Sequence, residues 1–150
     1  MKKFVLIAAM AAAAAVSSPA LGAEVSEEAL AECQARHSEF AKVKKCLAPT
    51  HIALELLSAV QAEDLYGSAG ADLVRICREQ EEPSVSVWSC ARHQLREADQ
   101  LLDMVGDPSK VSDPAFAPLA RPEAYAAVRK REEDMRQQFS RELAGGTYFP

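Results

Sequence analysis

Beyond residue 16 the chain has no apolar run long enough to cross a bilayer, a crossing that takes roughly 20 consecutive apolar residues as helix. Aromatic residues are few, with one Trp, three Tyr and five Phe in 150 residues, and glycines number only 6. No glycine-rich loop that cradles phosphate occurs, no Gly-x-Ser-x-Gly elbow and no His-Glu-x2-His pair. Those patterns expose a nucleophilic serine, hold a nucleotide or seat a catalytic zinc, so the main local signatures of catalysis are missing. Cysteine never occurs as Cys-x2-Cys or Cys-x2-Cys-His, which removes the close dithiol of redox enzymes and the attachment site of covalent haem. The carboxylate pairs Glu81-Glu82 and Glu132-Glu133 lie in charge runs, and such runs normally face water. The expectation is a protein that is not an enzyme, with no catalytic residue, no metal ligand and no cofactor.

What is present begins at the N-terminus. Lys2 and Lys3 precede thirteen apolar residues, Phe4 to Val16, and Ser17-Ser18-Pro19 then breaks the run. Ala20 and Gly22 stand at −3 and −1 of a cut before Ala23. A basic start, a short apolar core and a small-residue cleavage site make a secretory signal peptide over residues 1–22, with a cut before Glu24 as the alternative. The pattern is of bacterial type and predicts a periplasmic or secreted protein. Losing Lys2 and Lys3 leaves 15 basic residues of 17 against 22 acidic ones, so the formal charge moves from −5 to −7. That balance speaks against a nucleic-acid or anionic-membrane surface, which needs clustered Lys and Arg. The mature chain is expected to be soluble and acidic.

In an oxidising compartment, Cys33, Cys46, Cys77 and Cys90 imply two disulfides. Both successive pairs are Cys-x12-Cys, and Leu56-Leu57-x2-Val60 after the first resembles Leu101-Leu102-x2-Val105 after the second. Val43 and Val87 also share one relative position. These matches predict a tandem duplication of roughly 44 residues, with units at about 27–66 and 71–105. Two connectivities stay open. The nested one, Cys33–Cys90 with Cys46–Cys77, needs the two cysteines of each arm on one helix face, yet thirteen steps of 100° set them about 140° apart. The local one, Cys33–Cys46 with Cys77–Cys90, needs a turn inside each pair. Pro83 lies almost midway between Cys77 and Cys90, whereas only Ser38, a usable N-cap, offers a turn between Cys33 and Cys46. Geometry favours the local pairing.

Hydrophobic periodicity is helical throughout, and the fold class predicted is all-α: about five helices in a disulfide-stapled domain over 23–105, then a connector and a last helix. Ser26, followed by Glu27 and Glu28, starts the first helix, where Leu30, Cys33, His37 and Phe40 make an apolar stripe that Pro49 closes. Thr50 begins the next helix, and Gly67-Ser68-Ala69-Gly70 reads as a loop between the units. Asp72 opens a short helix bearing Leu73, Ile76 and Cys77. After Pro83 comes the clearest stripe, Trp88, Ala91, Leu95, Ala98, Leu102 and Val105. Residues 106–122 hold Pro108, Pro114, Pro118 and Pro122 and read as an extended connector. Residues 123–150 form a charged helix and a tail, with the helix read as a solvated face or a partner-facing arm.

Three histidines lie near cysteines, as Cys33-x3-His37, Cys46-x4-His51 and Cys90-x2-His93. A thiolate and imidazole site for metal or haem is therefore an alternative, opposed by oxidation of the thiols. His37 is expected to be partly buried on the stripe, and His51 and His93 to be solvated. Trp88 is expected to pack against a disulfide. Tyr148 and Phe149, behind a Gly-Gly hinge, are either docked on the body or available to a partner. Finally, Cys90-Ala91-x6-Ala98-Asp99-x2-Leu102-Asp103 resembles a motif of small periplasmic lysozyme-inhibitor-like proteins over about 14 residues. Asp103 stands where that motif has asparagine, and its later Trp and Cys portion is missing. The resemblance implies inhibition of a cell-wall hydrolase as a further alternative. The leading expectation is an exported, non-catalytic helical module that binds another protein, with no nucleic acid and no membrane span in the mature chain.

Overall fold

The computed structural model describes residues 25–142, so the export segment, Tyr148 and Phe149 lie outside the described residues. Within them the chain is all-α. Its helices are α1 (Glu27–Arg36), α2 (Phe40–Gln61), α3 (Glu63–Tyr66), α4 (Ser68–Gln80), α5 (Ser84–Val105), α6 (Phe116–Leu119) and α7 (Pro122–Glu142), with a 3-10 turn at Pro108–Lys110. The centre is α2, which packs against α1, α4, α5 and α7.

Local chemistry accounts for several boundaries. The Ser26 hydroxyl accepts the Ala29 N–H at 3.3 Å, and Glu27 and Glu28 complement the positive end of α1. α1 ends when His37 turns extended. Glu39, not Ser38, occupies the N-cap position of α2. The chain changes direction over 37–39, so the predicted stripe does not run on, and Phe40 is 92 % exposed; Leu30, within α1, is 39 % exposed.

Pro49 does not close a helix but lies inside α2. An interior proline removes one backbone hydrogen bond and crowds the preceding turn, at a cost of roughly 3 kcal/mol. Burial of Ala48, Ile52, Ala53, Leu56, Leu57 and Val60 along the same helix offsets it. The expected Gly-Ser-Ala-Gly loop shrinks to Gly67, which sits at φ 58°, and α4 starts at Ser68 rather than Asp72. Gly70 is inside α4, where a Cβ would fall 1.9 Å from the Val60 carbonyl oxygen. Only a bare α-carbon lets α4 come this close to the end of α2. On α4 the buried face is Leu73, Val74 and Cys77, whereas Ile76 points outward.

α5 buries Val87, Trp88, Ala91, Leu95 and Ala98 and ends at Gly106 in the left-handed conformation. Its first turn is capped from another helix: the Glu32 carboxylate of α1 accepts the Ser84 N–H at 3.2 Å and the Ser84 hydroxyl. The connector is not simply extended. Asp107 and Asp113 accept the N–H groups of Ser109 and Ala115, both at 2.9 Å, and each introduces a single helical turn. Phe116 and Ala120 then join Ala98 in a small second core.

α7 is charged yet docked, with Ala124, Val128 and Phe139 buried in the main core. Its Glu132, also buried, accepts from Arg92 at 3.2 Å and from Arg136 at 2.9 Å. Across residues 122–140 the helix is therefore part of the body.

Two helical hairpins, α1–α2 and α4–α5, share one layout. Three of the four boundaries of the second lie 44 positions after those of the first, from Arg36 to Gln80, Phe40 to Ser84 and Gln61 to Val105, while the starts, Glu27 and Ser68, are 41 apart.

Candidate binding surfaces

The cysteines pair locally, Cys33 with Cys46 and Cys77 with Cys90, and both bridges hold their α-carbons 5.8 Å apart. No free cysteine occurs among the described residues, so these sulfurs are not thiolate ligands in this state. The Thr50 hydroxyl is fully buried 3.5 Å from the Cys33 sulfur and 3.4 Å from that of Cys46. A disulfide sulfur carries no proton, so Thr50 is the only possible donor among the three.

The histidines are dispersed. His37 is half-buried at the end of α1. His51 is half-buried rather than solvated: its Nδ1 accepts the Ser26 N–H at 3.2 Å, and its ring meets Phe139 edge-on, 5.4 Å between centroids. It ties the start of α1 to α2 and α7. His93 is exposed, with Nδ1 2.9 Å from the Arg96 guanidinium. Among the described residues no three His, Cys, Asp or Glu side chains gather in a way that would hold a metal ion.

Three buried polar atoms, the Tyr66 hydroxyl, the Trp88 indole N–H and Asp99 Oδ1, have no hydrogen-bond partner among the described residues. Tyr66 is 2 % exposed. Burial, and then the nearby charge of Asp99, pushes its hydroxyl up to about 12. At neutral pH it stays protonated, which suits packing and not proton transfer.

Two of the concavities among the described residues have apolar floors next to a disulfide. The larger, about 710 Å³, runs between α4, α5 and the connector. Ile76, 43 % exposed, stands at its edge, and Leu101, Val111, Phe116 and Leu119 line it beside the Cys77–Cys90 bridge. The smaller, about 430 Å³, opens between the hairpin ends. Arg36, Lys42 and Lys45 are its charged lining residues, all cationic, over an apolar floor that includes Pro49 and Val85.

The stretch from Cys90 to Asp103 lies along α5. Ala91 and Ala98 are buried and Cys90 is bridged, so packing accounts for much of the motif. Neither concavity follows from a sequence motif, because each joins segments far apart in the chain. The chain matches no protein-family model, no curated protein and no solved structure.

Proposed function

We propose that this chain is an exported, non-catalytic binding protein, and that another protein docks in the groove between α4, α5 and the connector. The observation carrying this reading is the apolar lining of that groove with Ile76 left exposed at its edge. Exposed apolar surface in a concave setting is the usual mark of a contact site. Two bridges closing equal loops suit a module that works outside the reducing cytoplasm. The Lys2-Lys3 start, the apolar run to Val16 and the small residues at Ala20 and Gly22 support export. The offset of 44 positions shared by three helix boundaries supports descent of the two hairpins from one duplicated unit.

The test is site-specific photo-crosslinking in the producing cell. A crosslinker at Ile76 should give a discrete adduct with one protein, and the same group at exposed Lys130 on α7, which does not line the groove, should not. Equal labelling from both positions overturns the groove as a contact site. Mass spectrometry of the recovered protein reads the export claim separately, because an N-terminus at Ala23 or Glu24 is expected.

A further inference from the structure

The other end of the molecule carries a different chemistry. Residues 36–45 hold Arg36, Lys42, Lys44 and Lys45 against the single acid Glu39. This segment is therefore +3 in a chain of −5, leaving −8 on all remaining residues. At 100° per residue, Phe40, Lys44, Ala41, Lys45 and Lys42 follow one another around about 200° of the first turns of α2. All five are exposed, whereas Val43, Cys46 and Leu47 between them turn inward. Phe40, at 92 % exposure, has almost none of its ring covered by the protein. The cationic cleft adjoins this arc, so Arg36, Lys42 and Lys45 border a hollow with apolar Val85 and Pro83.

The nearby acids are Glu39, beside the arc, and Glu28, Glu32, Glu81 and Glu82, which line an adjoining hollow that shares Arg36 and Pro83 with the cleft. Glu39 pairs with Lys42 at 2.6 Å, an exposed pair that holds little. Glu32 lies 3.8 Å from Arg36 but is committed to capping Ser84. Glu81 and Glu82 line the adjoining hollow together with Arg78, and neither is among the residues lining the cationic cleft. The disulfide Cys33–Cys46 closes the hairpin just behind the arc, which keeps the aromatic and its lysines in one fixed arrangement.

We propose that this end docks on an anionic phospholipid surface, with Phe40 entering the interface and Arg36, Lys42, Lys44 and Lys45 meeting lipid phosphates. Charge complementarity selects the occupant. A net charge of −5 disfavours such a surface only as an average, and a screening length near 10 Å makes the local patch decisive. The acidic remainder is repelled and so orients the molecule with this end toward the lipid. An aromatic flanked by long basic side chains suits the boundary between headgroups and acyl chains. The inference does not rest on the groove, which lies on α4, α5 and the connector.

The experiment is co-sedimentation of the exported protein with vesicles of phosphatidylglycerol and phosphatidylcholine, compared with phosphatidylcholine alone. Every variant is compared with a parent having the same N-terminus, since residues 4–16 would themselves enter lipid. Binding is expected to the anionic vesicles only, and to fall when salt rises from about 0.1 M to about 1 M. The double variant Lys44→Glu/Lys45→Glu should lower partitioning by more than about tenfold. Arg129→Glu/Lys130→Glu makes the same charge change on α7 and should lower it by less than about threefold. Phe40→Ser, at a position with no core to disturb, should lower it by about tenfold with unchanged circular dichroism. No binding to anionic vesicles, equal binding to both vesicle types, equal loss in the two double variants, or an unaffected Phe40→Ser each overturns the proposal.

Discussion

In the hairpin α1–α2 the residue two before the second cysteine is Lys44, and it faces solvent; in α4–α5 the matching residue is Trp88, only 5 % exposed. Both hairpins close a loop of the same length, with a sequence separation of 13 between bridged cysteines. Their turns nevertheless meet opposite environments. The second turn is drawn into the body, where Val87 and Trp88 are buried and Glu32 of the first hairpin caps Ser84. The first leaves Phe40 and three lysines outside. The comparison separates two tasks that a disulfide can serve. In one hairpin the bridge reinforces packing that already holds the turn, and in the other it stands in for packing that the tip lacks.

The most severe way to probe this difference is to truncate the matched pair. Trp88→Ala should lower stability by about 3–5 kcal/mol, the range for emptying a large aromatic site in a core. Lys44→Ala should stay within about 0.5 kcal/mol. Urea denaturation followed by circular dichroism reads both, and similar losses would erase the asymmetry.

The two bridges should differ much less. Cys33→Ala/Cys46→Ala and Cys77→Ala/Cys90→Ala each release a loop of equal length, so each should cost about 3 kcal/mol through the unfolded chain. A disparity above about 1 kcal/mol in the same denaturation assay would show that native packing around one bridge, such as Thr50 beside the first, contributes separately.

The smallest expected effect lies where the hairpins join. The Tyr66 hydroxyl titrates near 12 in the folded protein and near 10 when unfolded. Because the folded value is raised, the associated stability is complete below pH 10 and is lost progressively as pH climbs toward 12. The loss amounts to about 2–3 kcal/mol. Tyr66→Phe should leave neutral stability nearly unchanged, since the hydroxyl has no partner among the described residues, and should remove this alkaline step. Brief exposure to alkali, monitored by tyrosinate absorbance and circular dichroism, tests both.

Much of the helical layout is legible along the chain because its signals are local. Ser26 with Glu27 and Glu28 marks a start, and the Trp88 to Ala98 stripe marks a buried face. Pro49 misleads because its cost is local and its compensation is not. It was legible as a break, but the burial that sustains α2 comes from α4, α5 and α7. The stripe through Phe40 fails because phase carries over only within one helix, and the chain turns at 37–39. Neither concavity was legible. Ile76 and Phe116 are far apart in sequence, as are Arg36 and Val85, and nothing periodic connects them. His51 looked solvated because its partners, Ser26 and Phe139, approach from distant positions.

The sequence by itself determined the all-α class, the equal spacing of the four cysteines and the caps of individual helices, since these depend on interactions within a few residues. It also narrowed the cysteine pairing to two schemes without deciding between them. Tertiary structure decided that pairing, the passage of α2 through Pro49, the docking of charged α7 and the opposite fates of Lys44 and Trp88. Each of these depends on which distant surface happens to lie opposite. Burial is a property of two surfaces brought together, and a one-dimensional pattern shows only one of them.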